Sequence, residues 1–126
     1  MKARRANFDR YCRFFQGMEG ISSIEEPEGL RSTRWLTTII VDPAKTKGIT
    51  REDIRMALEK DNIEARPLWK PMHMQPIFAQ YPYYGTRFEE SLFDRGLCLP
   101  SGSNLTEDDF NRIEASLQKL LGNKLQ

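Results

Sequence analysis

The proline-rich segment 65–76 constrains this chain more than any other stretch of its sequence. It reads ARPLWKPMHMQP and holds three of the seven prolines, one of the two tryptophans and the only histidine, His73. Each proline fixes its own φ angle and moves the preceding residue toward extended geometry, so a helix is disfavoured. Rigid loops that display polar and aromatic side chains often carry function. The segment lacks a nucleophile, a metal cluster and a phosphate cradle, so it predicts only part of a binding site.

Length and composition exclude several classes of protein. The 126 residues fit one domain, and the formal charge of +1 indicates neither a nucleic-acid partner nor a membrane partner. Cys12 and Cys98 are too few and too far apart for a secreted disulfide scaffold, and a single histidine without a CxxC pair argues against zinc. A charged Asp9-Arg10 pair interrupts the N-terminal segment where a signal peptide needs an apolar run. We therefore expect a soluble, cytoplasmic protein with reduced thiols and no metal.

Two helices carry the same start signal. Thr50 with Asp53 and Thr106 with Asp109 each have the spacing of a capping box, which opens a helix by reciprocal hydrogen bonds. The flanking residues differ, so we interpret this as shared capping chemistry and not as an internal repeat. Hydrophobic periodicity and turn residues predict the remaining elements. In chain order the predicted elements are helix 2–18, an extended segment in 21–30, strand 34–41, helix 51–60, strand 63–66, helix 86–94, strand 97–99 and a helix after Thr106.

This element order predicts an α+β fold. In a chain this short, a small, mainly antiparallel sheet covered by helices on one face is favoured over a doubly wound parallel sheet. Ile39 and Leu117 are predicted core residues. The segment 69–84 carries more aromatic and thioether surface than one small domain ordinarily exposes. A partner surface or a missing domain would account for that surface.

Several motifs resemble one family of enzymes. RPLWKPMHMQPIF (66–78) and LFDRGLCLPSGSNLT (92–106), with RWLT (34–37) and VDP (41–43), resemble the C-terminal part of the DegT/DnrJ/StrS family of pyridoxal-phosphate-dependent nucleotide-sugar aminotransferases. The resemblance is closest to the branch that aminates UDP-linked 4-keto-6-deoxy-N-acetylhexosamines in bacillosamine-type polysaccharide biosynthesis. It covers essentially the whole chain, and it implies the small C-terminal domain of a fold-type I aminotransferase.

The resemblance also implies what this chain lacks. Family members are longer, and their N-terminal domain supplies the Schiff-base lysine, the acid that pairs with the pyridine nitrogen and the phosphate-binding residues. The family therefore implies a single domain over 1–126, with 1–18 as the end of an interdomain helix and the large pyridoxal phosphate (PLP) domain absent. We expect no catalytic or cofactor-binding residue here, no PLP bound by this chain alone, and an inactive isolated chain. In the full-length enzyme we expect a homodimer that moves an amino group from glutamate to the keto-sugar.

Arg66, Lys70 and His73 are the predicted substrate-binding residues. A guanidinium offers a fork for a diphosphate or a carboxylate, an ammonium offers a point charge, and an imidazole can donate or accept. The competing explanations are solvated surface charge for the two cations and a structural role for the histidine. Further residues could line the site, although core packing or turn chemistry would also explain them. These are Trp69, Tyr83, Ser101 and Asn104.

Two other functions are compatible with parts of the sequence. A stand-alone α+β module could bind a ligand or a protein through the aromatic loop 66–84. Basic residues on the first helix could contact nucleic acid, but the near-neutral charge and the lack of an RNA-binding motif argue against it.

Overall fold

Helices and strands alternate along the chain in the order that the sequence predicts. The structure, a computed structural model, describes residues 1–125. Within them no helix has the length and apolar character needed to cross a bilayer. The elements are α1 (Lys2–Phe15), β1 (Ile21–Ser23), β2 (Thr37–Val41), α2 (Arg51–Lys60), β3 (Arg66–Pro67), a 3₁₀ turn (Met72–Met74), α3 (Phe88–Arg95), β4 (Gly96–Leu99) and α4 (Glu107–Leu125).

One four-stranded sheet organises the fold, with strand order β1-β2-β4-β3. All neighbouring strands are antiparallel. Ile39 pairs with Leu97 in the register of β2 and β4, and Arg66 pairs with Cys98 in the register of β3 and β4. Because side chains alternate across a strand, Leu97 and Leu99 point to one face and Cys98 to the other. The expected α+β fold with a small antiparallel sheet is confirmed.

The hydrophobic core lies between one face of the sheet and three helices. Helix α1 contributes Tyr11, and α2 and α4 contribute Ile54 and Leu117. The strands contribute Ile39 and Leu97, both fully buried. We call this the helix-covered face. Helix α3 contributes no residue to this core, although it contacts β2 and β4.

Both predicted capping boxes are present. The Thr50 hydroxyl accepts from the Asp53 amide at 3.1 Å, and the Asp53 carboxylate accepts from the Thr50 amide at 2.8 Å. Thr106 and Asp109 make the equivalent pair of bonds at 3.2 and 2.9 Å. These bonds satisfy backbone donors that have no partner inside the helix, which explains why α2 and α4 start where they do.

An ion-paired loop precedes β2. Glu26 accepts a two-pronged hydrogen bond from Arg5 on α1, at 3.0 and 2.8 Å, and another from the Ser32 amide. These bonds, the one from Arg5 first, lower the pKa of Glu26 to about 2. Arg34 donates to the Ile24 carbonyl at 2.8 Å. The Arg5 bonds therefore hold the loop against α1, and the Arg34 bond joins the two ends of the loop.

Some predicted boundaries are wrong by a few residues. Strand β2 begins at Thr37 and not at residue 34, because Arg34 adopts a positive φ of 51° that turns the chain before the strand. Strand β3 covers only Arg66–Pro67, and α1 ends at Phe15, two residues before Gly17 with its φ of 81°. Apolar and β-branched composition alone does not mark such turns.

Candidate functional site

A cleft of about 360 Å³ opens on the sheet face opposite the helix-covered face, and we call it the tryptophan cleft. The loop before β2, strand β3 and the chain after β4 bring its walls together. Apolar rings dominate the lining, with few polar groups, which is the usual composition of a small-molecule site. The lining residues that matter here are Trp35, Arg66, Trp69, Cys98, Pro100 and Ser101.

Two stacked tryptophans form the mouth of the cleft. The ring centroids of Trp35 and Trp69 lie 6.0 Å apart, with planes inclined by 28°. Their side chains nevertheless remain 60% and 66% exposed. Arg4 holds the Trp35 backbone by donating to its carbonyl at 2.8 Å. On the other side, the Leu68 amide donates to the Gly96 carbonyl at 3.3 Å and anchors the chain just before Trp69.

A close approach of Leu68 to the sheet explains one glycine in this region. A Cβ built at Gly96 would lie 2.2 Å from Leu68 Cδ1 and 2.5 Å from the Leu92 carbonyl oxygen. Any larger residue at position 96 would therefore displace Leu68 and with it the backbone that carries Trp69.

Arg66 stands at the rim of the cleft. Its guanidinium Nε and Nη2 lie 2.8 and 2.7 Å from Glu64 Oε1, and both side chains are mostly exposed. Ion pairs of this kind are weak, because water and salt screen them. A competing anion can therefore replace Glu64 on the guanidinium fork at little cost.

The floor of the cleft is small and uncharged. The Cys98 thiol is buried, which raises its pKa, and it lies 3.7 Å from the Thr38 hydroxyl. The Ser101 hydroxyl accepts from the Thr37 amide at 2.7 Å and donates to the Leu99 carbonyl at 2.8 Å. The Ser101 hydroxyl therefore already makes bonds that hold the end of β4 to β2.

His73 belongs to a second group of polar residues, which we call the histidine cluster: His73, Tyr83, Arg87, Glu89 and Glu90. His73 Nε2 lies 2.7 Å from Glu90 Oε1, and Nδ1 lies 3.6 Å from Glu89 Oε1. The hydrogen bond from His73 and the nearby charge of Arg87 lower the pKa of Glu90. The cluster ties the 3₁₀ turn to the first turn of α3.

Tyr83 completes this cluster. Its ring centroid lies 4.3 Å from that of His73, and its hydroxyl accepts from the Arg87 amide at 2.8 Å. A further hydrogen bond to Glu89 raises the pKa of the Tyr83 hydroxyl and lowers that of the Glu89 carboxyl. Both ring nitrogens of His73 thus face carboxylates of the same chain.

The predicted site residues fall in different places. Arg66, Trp69 and Ser101 meet in the tryptophan cleft, whereas His73 and Tyr83 lie in the histidine cluster. Two further predicted residues are exposed and line neither: Lys70 and Asn104.

Sequence reasoning missed Trp35 as a site residue. Its position among β-branched residues suggested a strand, but its side chain is exposed and the strand starts two residues later. The positive φ of Arg34 turns the chain just before Trp35, and this turn is visible only in the folded structure.

The polar side chains that line the cleft already have partners within the chain. The cleft holds one thiol of raised pKa, one hydroxyl engaged in structural bonds, and one arginine paired with the carboxylate of Glu64. No lysine is among the lining residues, so this cleft does not fit a Schiff base with an aldehyde cofactor. Within residues 1–125 no group of three metal-ligating side chains converges. The fold and the cleft together define a class of protein: a small α+β domain with an open cleft on the sheet face that α1, α2 and α4 leave uncovered.

The match of residues 1–118 to a family model identifies that protein class: the chain belongs to the DegT/DnrJ/EryC1/StrS aminotransferase family. It is 42% identical over 117 residues to EpsN of Bacillus subtilis (strain 168), provisionally described as a pyridoxal phosphate-dependent aminotransferase. That match covers 90% of this chain and 29% of EpsN. A GDP-perosamine synthase of Caulobacter vibrioides is 31% identical over 91 residues, covering 72% of this chain and 24% of the synthase. The chain thus spans less than a third of the length of these relatives.

Solved structures share the fold. A family aminotransferase from Brucella abortus superposes with a TM-score of 0.76 at 25% identity, covering 96% of this chain and 31% of that one. DesI, solved in the presence of its TDP-sugar product, gives a TM-score of 0.82 at 21% identity, covering 95% of this chain and 31% of its own. The expected family membership is confirmed, and full-length members depend on PLP.

Proposed function

We propose that this chain is the substrate-side domain of a PLP-dependent aminotransferase that moves an amino group from glutamate to a nucleotide-linked keto-sugar. The observation that carries the proposal is the match of residues 1–118 to the aminotransferase family. The open tryptophan cleft adds a place where a substrate could lie. The names of the relatives, a GDP-perosamine synthase and a protein solved with a TDP-sugar, support a nucleotide-linked sugar as the substrate class.

The cofactor, in this proposal, is held by a larger domain outside this chain. PLP forms a Schiff base with a lysine and supplies the electron sink for amino transfer. The residues of this chain bind and orient the sugar nucleotide at the edge of that domain, and Arg66 offers its guanidinium to an anionic group of the substrate. Lys70, exposed four residues further along the chain, is the second cation proposed to contact the substrate.

The exposed apolar residues after the cleft suit contact with that larger domain or with a second subunit. Ile77 is 69% exposed, Tyr84 is 89% exposed and Phe88 is 63% exposed. Such a concentration of apolar surface is unusual for an isolated domain and typical of an interface. In this proposal the segment 72–88 is buried when the full-length enzyme assembles as a homodimer.

The first test asks whether this chain holds the cofactor. We expect that titration of the purified chain with PLP gives no aldimine absorbance band, and that borohydride reduction with peptide mass mapping labels no single lysine. A stoichiometric adduct on one lysine would contradict this division of labour, because the chain would then carry the cofactor itself.

The second test asks whether the chain supports amino transfer. A hybrid enzyme is made in which this chain replaces the matching segment of the Bacillus relative, and transfer from glutamate to a UDP-linked 4-keto-6-deoxy-N-acetylhexosamine is measured. We expect activity, and we expect Arg66→Ala in the hybrid to raise KM for the sugar nucleotide. Arg55→Ala on α2 is the matched control and should leave KM unchanged. A folded hybrid that binds PLP but transfers no amino group would refute the proposal.

A further inference from the structure

We propose that the tryptophan cleft is the subsite for the nucleobase of a nucleotide-linked substrate, with Trp35 and Trp69 as its stacking platform. This inference rests on the proposed function and adds to it the part of the substrate that this domain recognises. Its basis is the exposed, stacked pair of rings in a cleft whose lining also includes Cys98, Pro100 and Ser101.

Exposure of both rings argues for a ligand. Tryptophan is the largest apolar side chain, and a structural pair would be expected to bury most of its surface. Trp35 and Trp69 instead keep 60% and 66% of their surface in contact with water while stacking on each other. Aromatic faces left open in this way are what a planar base stacks upon, and this stacking tolerates any base because every base has a π-face.

The platform is held in place before any ligand arrives. Arg4 fixes the carbonyl of Trp35, and the ion-paired loop centred on Glu26 ties the preceding residues to α1. Pro67 and Pro71 restrict the backbone on either side of Trp69. Preorganised rings lose little conformational freedom on binding, so more of the stacking energy appears as affinity.

Charge at the rim favours a nucleotide over the amino donor. Glutamate would need cations for two carboxylates, but the only cation among the lining residues is Arg66, and it is paired with Glu64. A nucleobase is planar and carries no charge, so it suits an aromatic platform beside a single arginine that is already paired, while the diphosphate lies toward the Arg66 side of the cleft. The Cys98 thiol beneath the rings is small and uncharged, so the floor admits an aromatic edge without desolvating a charge.

The chain offers a direct readout. Trp35 and Trp69 are its only tryptophans, so intrinsic tryptophan fluorescence reports on this cleft alone. We expect UDP and GDP to quench the emission of the full chain saturably, with half-saturation below about 1 mM. Uridine should quench more weakly, because it has the ring without the phosphates. Inorganic pyrophosphate, which has no ring, should not quench.

Substitutions at Trp69 test whether UDP binding depends on an aromatic ring at that position or only on a folded chain. Trp69→Ala leaves Trp35 as the reporter and should weaken UDP binding about tenfold or more, whereas Trp69→Phe keeps a ring and should retain most of the affinity. Tyr84→Ala removes another exposed aromatic residue outside the cleft lining and should bind UDP like the unmodified chain. Thermal melts confirm that each variant is folded.

The inference is overturned if UDP and GDP fail to quench the unmodified chain, or if Trp69→Ala and Tyr84→Ala bind UDP equally well. The hybrid enzyme distinguishes this failure from failure of the proposed function. A hybrid that aminates the sugar while the isolated chain ignores nucleotides refutes only the nucleobase subsite. A chain that binds nucleotides through the cleft while its hybrid transfers no amino group supports the subsite and refutes the transferase.

Discussion

The two faces of the sheet have opposite characters, although the same strands form both. On the helix-covered face, Ile39 and Leu97 are completely buried in a core shared with three helices. On the opposite face, the neighbouring Cys98 lies beneath a cleft whose rim carries two largely exposed tryptophans. One face is buried in the core, and the other leaves apolar surface exposed to solvent.

The largest expected effect compares adjacent residues on opposite faces. Ile39→Ala should lower the free energy of unfolding by about 2 to 5 kcal/mol, because a fully buried isoleucine leaves a cavity. Ile40→Ala, on the opposite face and only partly buried, should cost about 1 to 2 kcal/mol. Urea denaturation measures both. Equal losses of unfolding free energy would show that the two faces are packed alike, and the contrast between them would be wrong.

The next effect concerns how α4 is held on the helix-covered face. Thr106→Ala removes the hydroxyl that accepts from the Asp109 amide and should cost about 1 kcal/mol. Thr106→Ser keeps an accepting hydroxyl at that position and should cost much less. Urea denaturation of the two variants gives the difference. If serine and alanine are equally destabilising, the capping box does not stabilise the helix.

The pH dependence of the Glu26 contacts is a smaller effect, and it concerns the loop that carries Trp35. Because Arg5 lowers the pKa of Glu26 from 4.5 to about 2, the carboxylate stabilises the fold fully above pH 4.5. That stabilisation is lost as the pH falls through 2. Glu26→Gln should therefore lower the melting temperature at pH 7, and the difference from the unmodified chain should shrink toward pH 2.

Glu28→Gln is the control for this measurement, because Glu28 is exposed on the same loop. It should leave the melting temperature unchanged across the pH range. A gap between the unmodified chain and Glu26→Gln that stays constant down to pH 2 would show that the charge of Glu26 is not what stabilises the loop.

The smallest expected effect on stability belongs to the open face. Trp69→Ala should lower the free energy of unfolding by less than about 1 kcal/mol, since the ring is mostly exposed, lies outside the core and loses mainly its stacking on Trp35. Urea denaturation of Trp69→Ala and Ile39→Ala under the same conditions compares the stability contributed by the two faces. A loss of several kcal/mol would mean that the tryptophan pair is a structural feature of the fold.

Most of the fold could be predicted from local sequence patterns, but the site could be predicted only in part. The capping boxes at Thr50 and Thr106 and the core positions Ile39 and Leu117 lie where the patterns place them. Spacing of this kind is local and follows from the geometry of one helix or one strand. The predicted start of β2 was wrong, because Arg34 adopts a positive φ that its β-branched neighbours do not indicate, and its guanidinium bonds the Ile24 carbonyl outside the strand.

The sequence by itself determined the order of elements, the two helix starts and the apolar stripes that form the core, because each depends on hydrogen bonds or side-chain spacing within one segment. Only the tertiary structure decided which candidate residues meet. Placing β4 between β2 and β3 brings Trp35 to Trp69 and Arg66 to Cys98, whereas His73 is drawn to Glu90 on α3. Such contacts join residues far apart in sequence, so they follow from strand pairing and loop closure and not from any local pattern.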